Sequence, residues 1–146
     1  MAQPTQDTRL LRIDTPLGSD VLLLTSFSGQ EEMSRLFSYE LEMISPQETI
    51  KPEDIVGKNV TVSIELADGG FRHFNGFIIR FTADYGEGGQ PVFRAEMVPW
   101  LWFLTQTADC RIFQQMKVPD IIEKIFSDLG FPDFETSEIK GNHKKW

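Results

Sequence analysis

The chain has 146 residues, 40% of them apolar and 25% charged, which suits one sizeable core and excludes long disorder. Its 14 Lys and Arg against 22 Asp and Glu leave a formal charge of −8, which repels nucleic-acid phosphates and anionic lipid, both held chiefly by clustered cations. The lone cysteine, Cys110, excludes an intrachain disulfide and a cysteine-built metal site; in its apolar stretch it reads as a small buried residue.

Residues 1–8 read as a flexible N-terminus. The opening MAQPTQDTRLLRID has no apolar core of signal-peptide length, and no stretch nears the roughly 20 apolar residues of a membrane helix. The expected starting compartment is therefore the cytoplasm. Two apolar runs, 10–14 and 21–27, flank Thr15, Pro16, Leu17 and Gly18, which suggests a hairpin. After the polar loop SGQEEMS, residues 35–44 alternate: Phe37, Tyr39, Leu41 and Met43 share one face, and Ser38, Glu40 and Glu42 the other. The acids Glu31, Glu32, Glu40 and Glu42 read as solvated. KPEDIVG predicts one helical turn opened by Pro52 and ended by Gly57.

A second hairpin follows. Val60, Val62, Ile64 and Leu66 alternate with polar residues, and Ala67, Asp68, Gly69 and Gly70 turn the chain into a strand over 71–83. Gly76 within it suggests a bulge or sharp bend that curls the sheet toward a barrel. The loop from Tyr85 through Glu87 and Gly88 to Pro91 then leads into a strand over 92–98. About six strands in this span predict a mainly β (α+β) fold, a curled antiparallel sheet or barrel. Trp100, Leu101, Trp102, Phe103 and Leu104 form a block too apolar to stay exposed, so it is core or interface. Val118, Pro119 and Asp120 open an amphipathic helix over 118–130, with Ile121, Ile122, Ile125, Phe126 and Leu129 on one stripe and Gly130 as its cap. The expected divisions are 1–8, a β domain over 9–105, and the start of a further subdomain over 106–146.

Catalytic chemistry has little to work with. A nucleophilic hydrolase needs a base oriented by a third group, and of the two histidines, His73 lies in a strand and His143 in a basic tail with Lys140, Lys144 and Lys145 that reads as solvated. Two histidines 70 positions apart make no zinc pair, and Asp84, Glu87 and Gly88 offer too few oxygens for a calcium loop. Gly86, Gly88 and Gly89 lack the Lys and Ser or Thr of a phosphate loop. No catalytic, cofactor-binding or metal residue is assigned, and no cofactor is expected.

Four stretches together resemble the start of type VI secretion spike proteins of the VgrG family: SGQEEMSRLFSYELEMIS, DIVGKNVTVSIELADGGFRHFNGFI, PWLWFLTQTADCRIFQ and VPDIIEKIFSDLGF. The resemblance runs from about residue 10 to the end and covers only the first part of such a protein. It implies a structural, non-enzymatic module similar to the phage T4 baseplate hub, in a homotrimer that stands on a tube of hexameric Hcp rings. Baseplate, effector or adaptor proteins are the further partners, with neither nucleic acid nor membrane insertion. Export would follow cytoplasmic assembly, through the machine and without a cleavable signal. The 9–105 domain would be a hub-like barrel, and Trp146 a partial end that leaves adhesive edges. Trp100, Trp102, Phe103, Arg111 and Phe113 are the candidate subunit or junction contacts. The alternative is a stand-alone β-barrel that binds a ligand or protein.

Overall fold

A computed structural model of the chain describes residues 4–86, 89–141 and 143–145; the expected loop residues Glu87 and Gly88, and the end at Trp146, lie outside them. The period-two segments form six antiparallel strands: β1 (Leu11–Asp14), β2 (Leu23–Gln30), β3 (Ser38–Ile44), β4 (Asn59–Glu65), β5 (Phe71–Tyr85) and β6 (Pro91–Val98). One helix, α1 (Val118–Asp128), follows. The chain divides into two compact units, residues 1–104 and 105–146.

The strands make one sheet in the order β1-β4-β5-β6-β3-β2. Alternation sets the faces: Tyr39, Leu41 and Met43 of β3 are buried, as are Val60 and Val62 of β4 and Phe93, Ala95 and Met97 of β6. These close on Ile13, Leu22 and Leu24 from the two ends of the ladder, so the sheet curls around a single core. Phe93, Met43, Met97 and Ile78 are all 0% exposed, and they fill the concave side.

Two expectations change, and a third holds. The hairpin between 10–14 and 21–27 does not form: β1 pairs with β4, Ile13 opposite Val62, and β2 pairs with β3 at the far end of the sheet. Eight residues separate β1 from β2, too many for a tight turn, and the left-handed backbone at Gly18 and Asp20 leads β2 away. The expected curled antiparallel sheet is what forms, a half-barrel in which β1 and β2 share side chains in the core but no ladder among the described residues. The bulge falls between Ile78 and Arg80 instead of at Gly76. Gly76 serves close approach: a Cβ there would stand 2.7 Å from the Met97 Cγ and 2.7 Å from the Val98 carbonyl oxygen.

The segment KPEDIVG forms a single 3-10 turn, Pro52–Asp54, which delivers Ile55 into the core, and Gly57 takes the left-handed backbone (φ 77°) that starts β4. Within residues 1–8, Gln6 is tied down. Its side-chain amide donates to the Ile13 carbonyl at 2.9 Å and accepts the Ile13 N–H at 2.8 Å.

In the second unit, α1 starts after Lys117, whose N–H is accepted by Asp120 at 3.4 Å, and stops at Gly130 (φ 80°), where Phe131 N–H reaches back to the Phe126 carbonyl at 3.0 Å. The predicted apolar stripe is only half covered. Ile121, Ile125 and Phe126 are half-buried, but Ile122 and Leu129 are exposed, and no described residue of 105–145 is fully buried.

Candidate interaction surface

The outer face of the sheet is a lattice of cross-strand pairs. Arg94 of β6 lies opposite Glu42 of β3 and bonds it at 3.2 Å, while its other nitrogen reaches Asp84 of β5 at 3.3 Å. Arg80 and Glu96, opposite each other across β5 and β6, are 3.4 Å apart, and the Ser38 hydroxyl donates to the same Glu96 at 3.0 Å. Asn59 and Asn75 exchange amide bonds at 2.9 and 2.8 Å, and Arg12 pairs with Glu65 at 3.2 Å. Exposed pairs of this kind contribute at most about 1 kcal/mol each, so their effect is to hold register and hydrate the face. His73 belongs to this lattice, with Nδ1 2.8 Å from the Ser63 hydroxyl and its ring stacked 6.3 Å from Phe71.

At the end of the sheet where β2 turns into β3, the character is aromatic. Tyr39 packs against Phe27 (4.9 Å), Phe37 (4.7 Å) and Phe74 (5.4 Å), and the Arg72 guanidinium lies 4.6 Å over the Phe74 ring. The Tyr39 hydroxyl donates to Glu31. Burial first, then the Glu31 carboxylate, push the phenol well above its ordinary pKa. Glu31 and Glu32 are exposed, as expected, and each also makes an ion pair: Glu31 with Arg72 at 3.6 Å, and Glu32 with Arg35 at 3.1 Å. Next to them Met33 is 98% exposed. A methionine inside an otherwise polar loop was the only sequence signal for it.

The predicted contact residues divide between the units. Trp100, Trp102 and Phe103 lie in the first unit on a 3-10 segment, Trp100–Gln106, that has no fully buried residue. Trp102 meets Phe103 edge-on at 5.5 Å, and Phe103 meets Phe77 of β5 at 5.3 Å. Arg111 and the half-buried Phe113 lie in the second unit. Arg111 bridges Asp109 (2.8 Å) and Asp128 (3.1 Å), tying the entry segment to the end of α1. The Arg111 guanidinium holds the Asp109 carboxyl below its ordinary value.

One reading of this region is corrected, and one is refined. Cys110 is exposed, because its charged neighbours Asp109 and Arg111 keep the segment at the surface. In the basic tail Lys140, Lys144 and Lys145 are exposed, as expected, whereas His143 is half-buried and Lys145 forms a bridge with Lys117.

Comparison with known proteins identifies the lineage of this arrangement. Residues 30–146 match the family described as phage tail baseplate hub (GPD). The chain belongs to that family. The hub chain is 45% identical over 141 residues to the type VI secretion system spike protein VgrG1b of Pseudomonas aeruginosa, covering 97% of this chain and 19% of the relative. It is 43% identical over 141 residues to VgrG1a of the same organism, again over 97% of this chain and 22% of the relative. A more distant relative, 24% identical over 128 residues, is the actin cross-linking toxin VgrG1 of Vibrio cholerae, with 81% of this chain and 12% of the relative covered. The hub chain thus spans about one fifth of the length of its nearer relatives named here. Its fold is shared with the E. coli c3393 protein (TM-score 0.72, 19% identity, 92% of this chain and 37% of the other), a type VI component described as structurally similar to the T4 tail proteins gp27 and gp5. The sequence is therefore VgrG-like and the fold hub-like. Among the described residues no helix is long and apolar enough to cross a membrane.

Proposed function

We propose that this chain is the hub-like, structural part of a type VI spike, working as a homotrimer that docks on the hexameric Hcp tube and contributes no catalysis. The observation that carries the reading is the match of residues 30–146 to the baseplate-hub family, together with close identity to spike proteins over 97% of the chain. The fold is compatible with this role: a curled sheet whose concave side is filled by its own side chains offers a surface to partners, not an interior to a small ligand. The domain assignment is part of the proposal, with the hub-like unit at about 9–105 and the next subdomain opening at 106. Trp100, Trp102, Phe103, Arg111 and Phe113 are assigned to the junction or to a neighbouring subunit. Loading on the tube before export places assembly in the cytoplasm. Threefold copies facing a sixfold ring need closed symmetry on both sides.

The test is mass in solution by light scattering, with and without purified hexameric tube protein, run beside the longer spike protein that contains this sequence. Co-elution with the tube supports the proposal. A chain inert toward both tube and spike protein refutes it.

A further inference from the structure

The sheet ends on β1 and β2, and the chain treats these edges differently. Along β1 the Gln6 amide takes both the N–H and the carbonyl of Ile13, at 2.8 and 2.9 Å. On β2 the Arg9 guanidinium takes the Leu24 carbonyl at 3.4 Å, and there the cover stops. From Ser26 to Gln30, β2 pairs with β3 on one side, and among the described residues nothing bonds its backbone on the other. Edge strands are ordinarily blunted by charge or proline. The run TSFSGQ, residues 25–30, holds neither. All of it is exposed except Phe27, which is half-buried against Tyr39 and Phe74.

Beside this edge the outer face carries charge that the sheet does not meet. Glu40, Glu42, Asp84 and Glu96 share Arg80 and Arg94: Arg94 serves Glu42 and Asp84, and Arg80 serves Glu96. Among the described residues Glu40 is left without an ion pair, and it is exposed. It also stands directly opposite Glu96 in the ladder, a like-charge pairing that works against the sheet. On its other side Glu40 faces Ser28 of β2. Ser26 and Ser28 border the open hollow that Glu40, Glu42 and Glu96 line, and side chains this short leave the carboxylates reachable from beyond β2.

We propose that the free side of β2, residues 25–30, is a β-addition site for an extended segment of another polypeptide, with Lys or Arg opposite Ser28 and an apolar residue next to it, beside Phe27. Main-chain hydrogen bonds supply the attachment, and alternate side chains read the two faces. Neighbouring strands lie about 4.8 Å apart, so the cation stands about 10 Å from Glu40 at Cα, and its long stem crosses the serine to the carboxylate. Glu40 and Glu96 select the sign, because an acid at that position adds a further negative charge to a pair already in conflict. A second copy pairing β2 with β2 brings no cation, since that run carries none, so the added strand has a different sequence. The site does not depend on docking to the tube.

The full 146-residue chain is titrated with short end-capped peptides of alternating valine and lysine, of alternating valine and glutamate, and with a fully N-methylated form of the lysine peptide, which keeps the charge but has no main-chain donor. Fluorescence anisotropy at low and high salt reads affinity, and amide hydrogen exchange reads location. The lysine peptide is expected to bind saturably and to slow exchange within residues 25–30, the glutamate peptide to bind about tenfold or more weakly, and the N-methylated peptide not to bind. Glu40→Gln, an exposed change whose fold circular dichroism verifies, is expected to weaken the lysine peptide about two- to fivefold at low salt and less at high salt. Equal binding of the N-methylated peptide would show attachment by charge alone and overturn β-addition. Equal binding of the glutamate peptide, or no effect of Glu40→Gln, overturns the assigned partner chemistry. No saturable binding of the lysine peptide up to about 1 mM overturns the site altogether. So does a chain that is already dimeric with residues 25–30 protected before peptide is added, which gives the edge to a second copy.

Discussion

Substituting Gly76 by alanine tests the packing logic of the half-barrel through the sign of its effect. In an ordinary strand the change stabilises by about 0.5–1 kcal/mol, because alanine has less freedom to lose on folding. At Gly76 the new Cβ stands 2.7 Å from the Met97 Cγ and 2.7 Å from the Val98 carbonyl oxygen. Met97 is 0% exposed and packed in the core, and the carbonyl belongs to the backbone of β6, held in the ladder where Val98 faces Phe77. Neither neighbour yields cheaply. Overpacking of this kind costs typically about 1–3 kcal/mol, which exceeds the gain and leaves a net loss of about 1–2 kcal/mol. With an unfolding entropy of about 2.1 cal/mol/K per residue over about 100 residues, the melting temperature of the β unit falls by about 5–10 °C. Thermal unfolding followed by circular dichroism in the strand region reads this directly. An unchanged or raised melting temperature would show that the close approach at Gly76 is not a constraint.

Excised as a peptide, residues 105–146 are expected to show little ordered structure, since no described residue among them is fully buried and a helix of 11 residues is below the length that is stable alone. Residues 1–104 should keep a cooperative transition; a cooperative melt of the excised piece contradicts this. In the second unit, Arg111→Gln should return the Asp109 carboxyl to the ordinary aspartate range in a carbon-detected NMR titration. The folded-state value is depressed, so the contribution of this pair is present above the ordinary value and lost as pH falls through the depressed one. An Asp109 titration that does not move on substitution removes Arg111 as the cause.

Local pattern was the legible part of this fold. The alternation in 35–44 identifies β3 and its faces because a half-buried strand must present every second residue to the core, and Tyr39, Leu41 and Met43 are indeed buried. Gly130 and Phe131 end α1 by backbone geometry that one glycine reveals. Pairing was not legible. Thr15, Pro16 and Gly18 say that the chain turns after β1 but not where it goes, and the pairing of Ile13 with Val62 joins segments about 50 residues apart. The same holds for the surface. Asp109 is two residues from its partner Arg111, whereas Asp128, Arg72 with Glu31, and Arg94 with both Glu42 and Asp84 meet only once the chain is folded. Glu31 looks like any solvated acid until Tyr39 and Arg72 are placed beside it.

The amide of Gln6 has a consequence for handling the protein. By engaging both the N–H and the carbonyl of Ile13, it takes the place that another strand would occupy along the free side of β1. A version trimmed to start at residue 9, which a division into a tail and a β domain invites, loses no core residue and so keeps its fold. It uncovers a paired donor and acceptor on an edge strand, in a sheet already bordered by the second edge of β2. Gln6, in a stretch that looks dispensable, is in this sense a guard against aggregation, and solubility on storage, more than melting temperature, is the property that its removal changes.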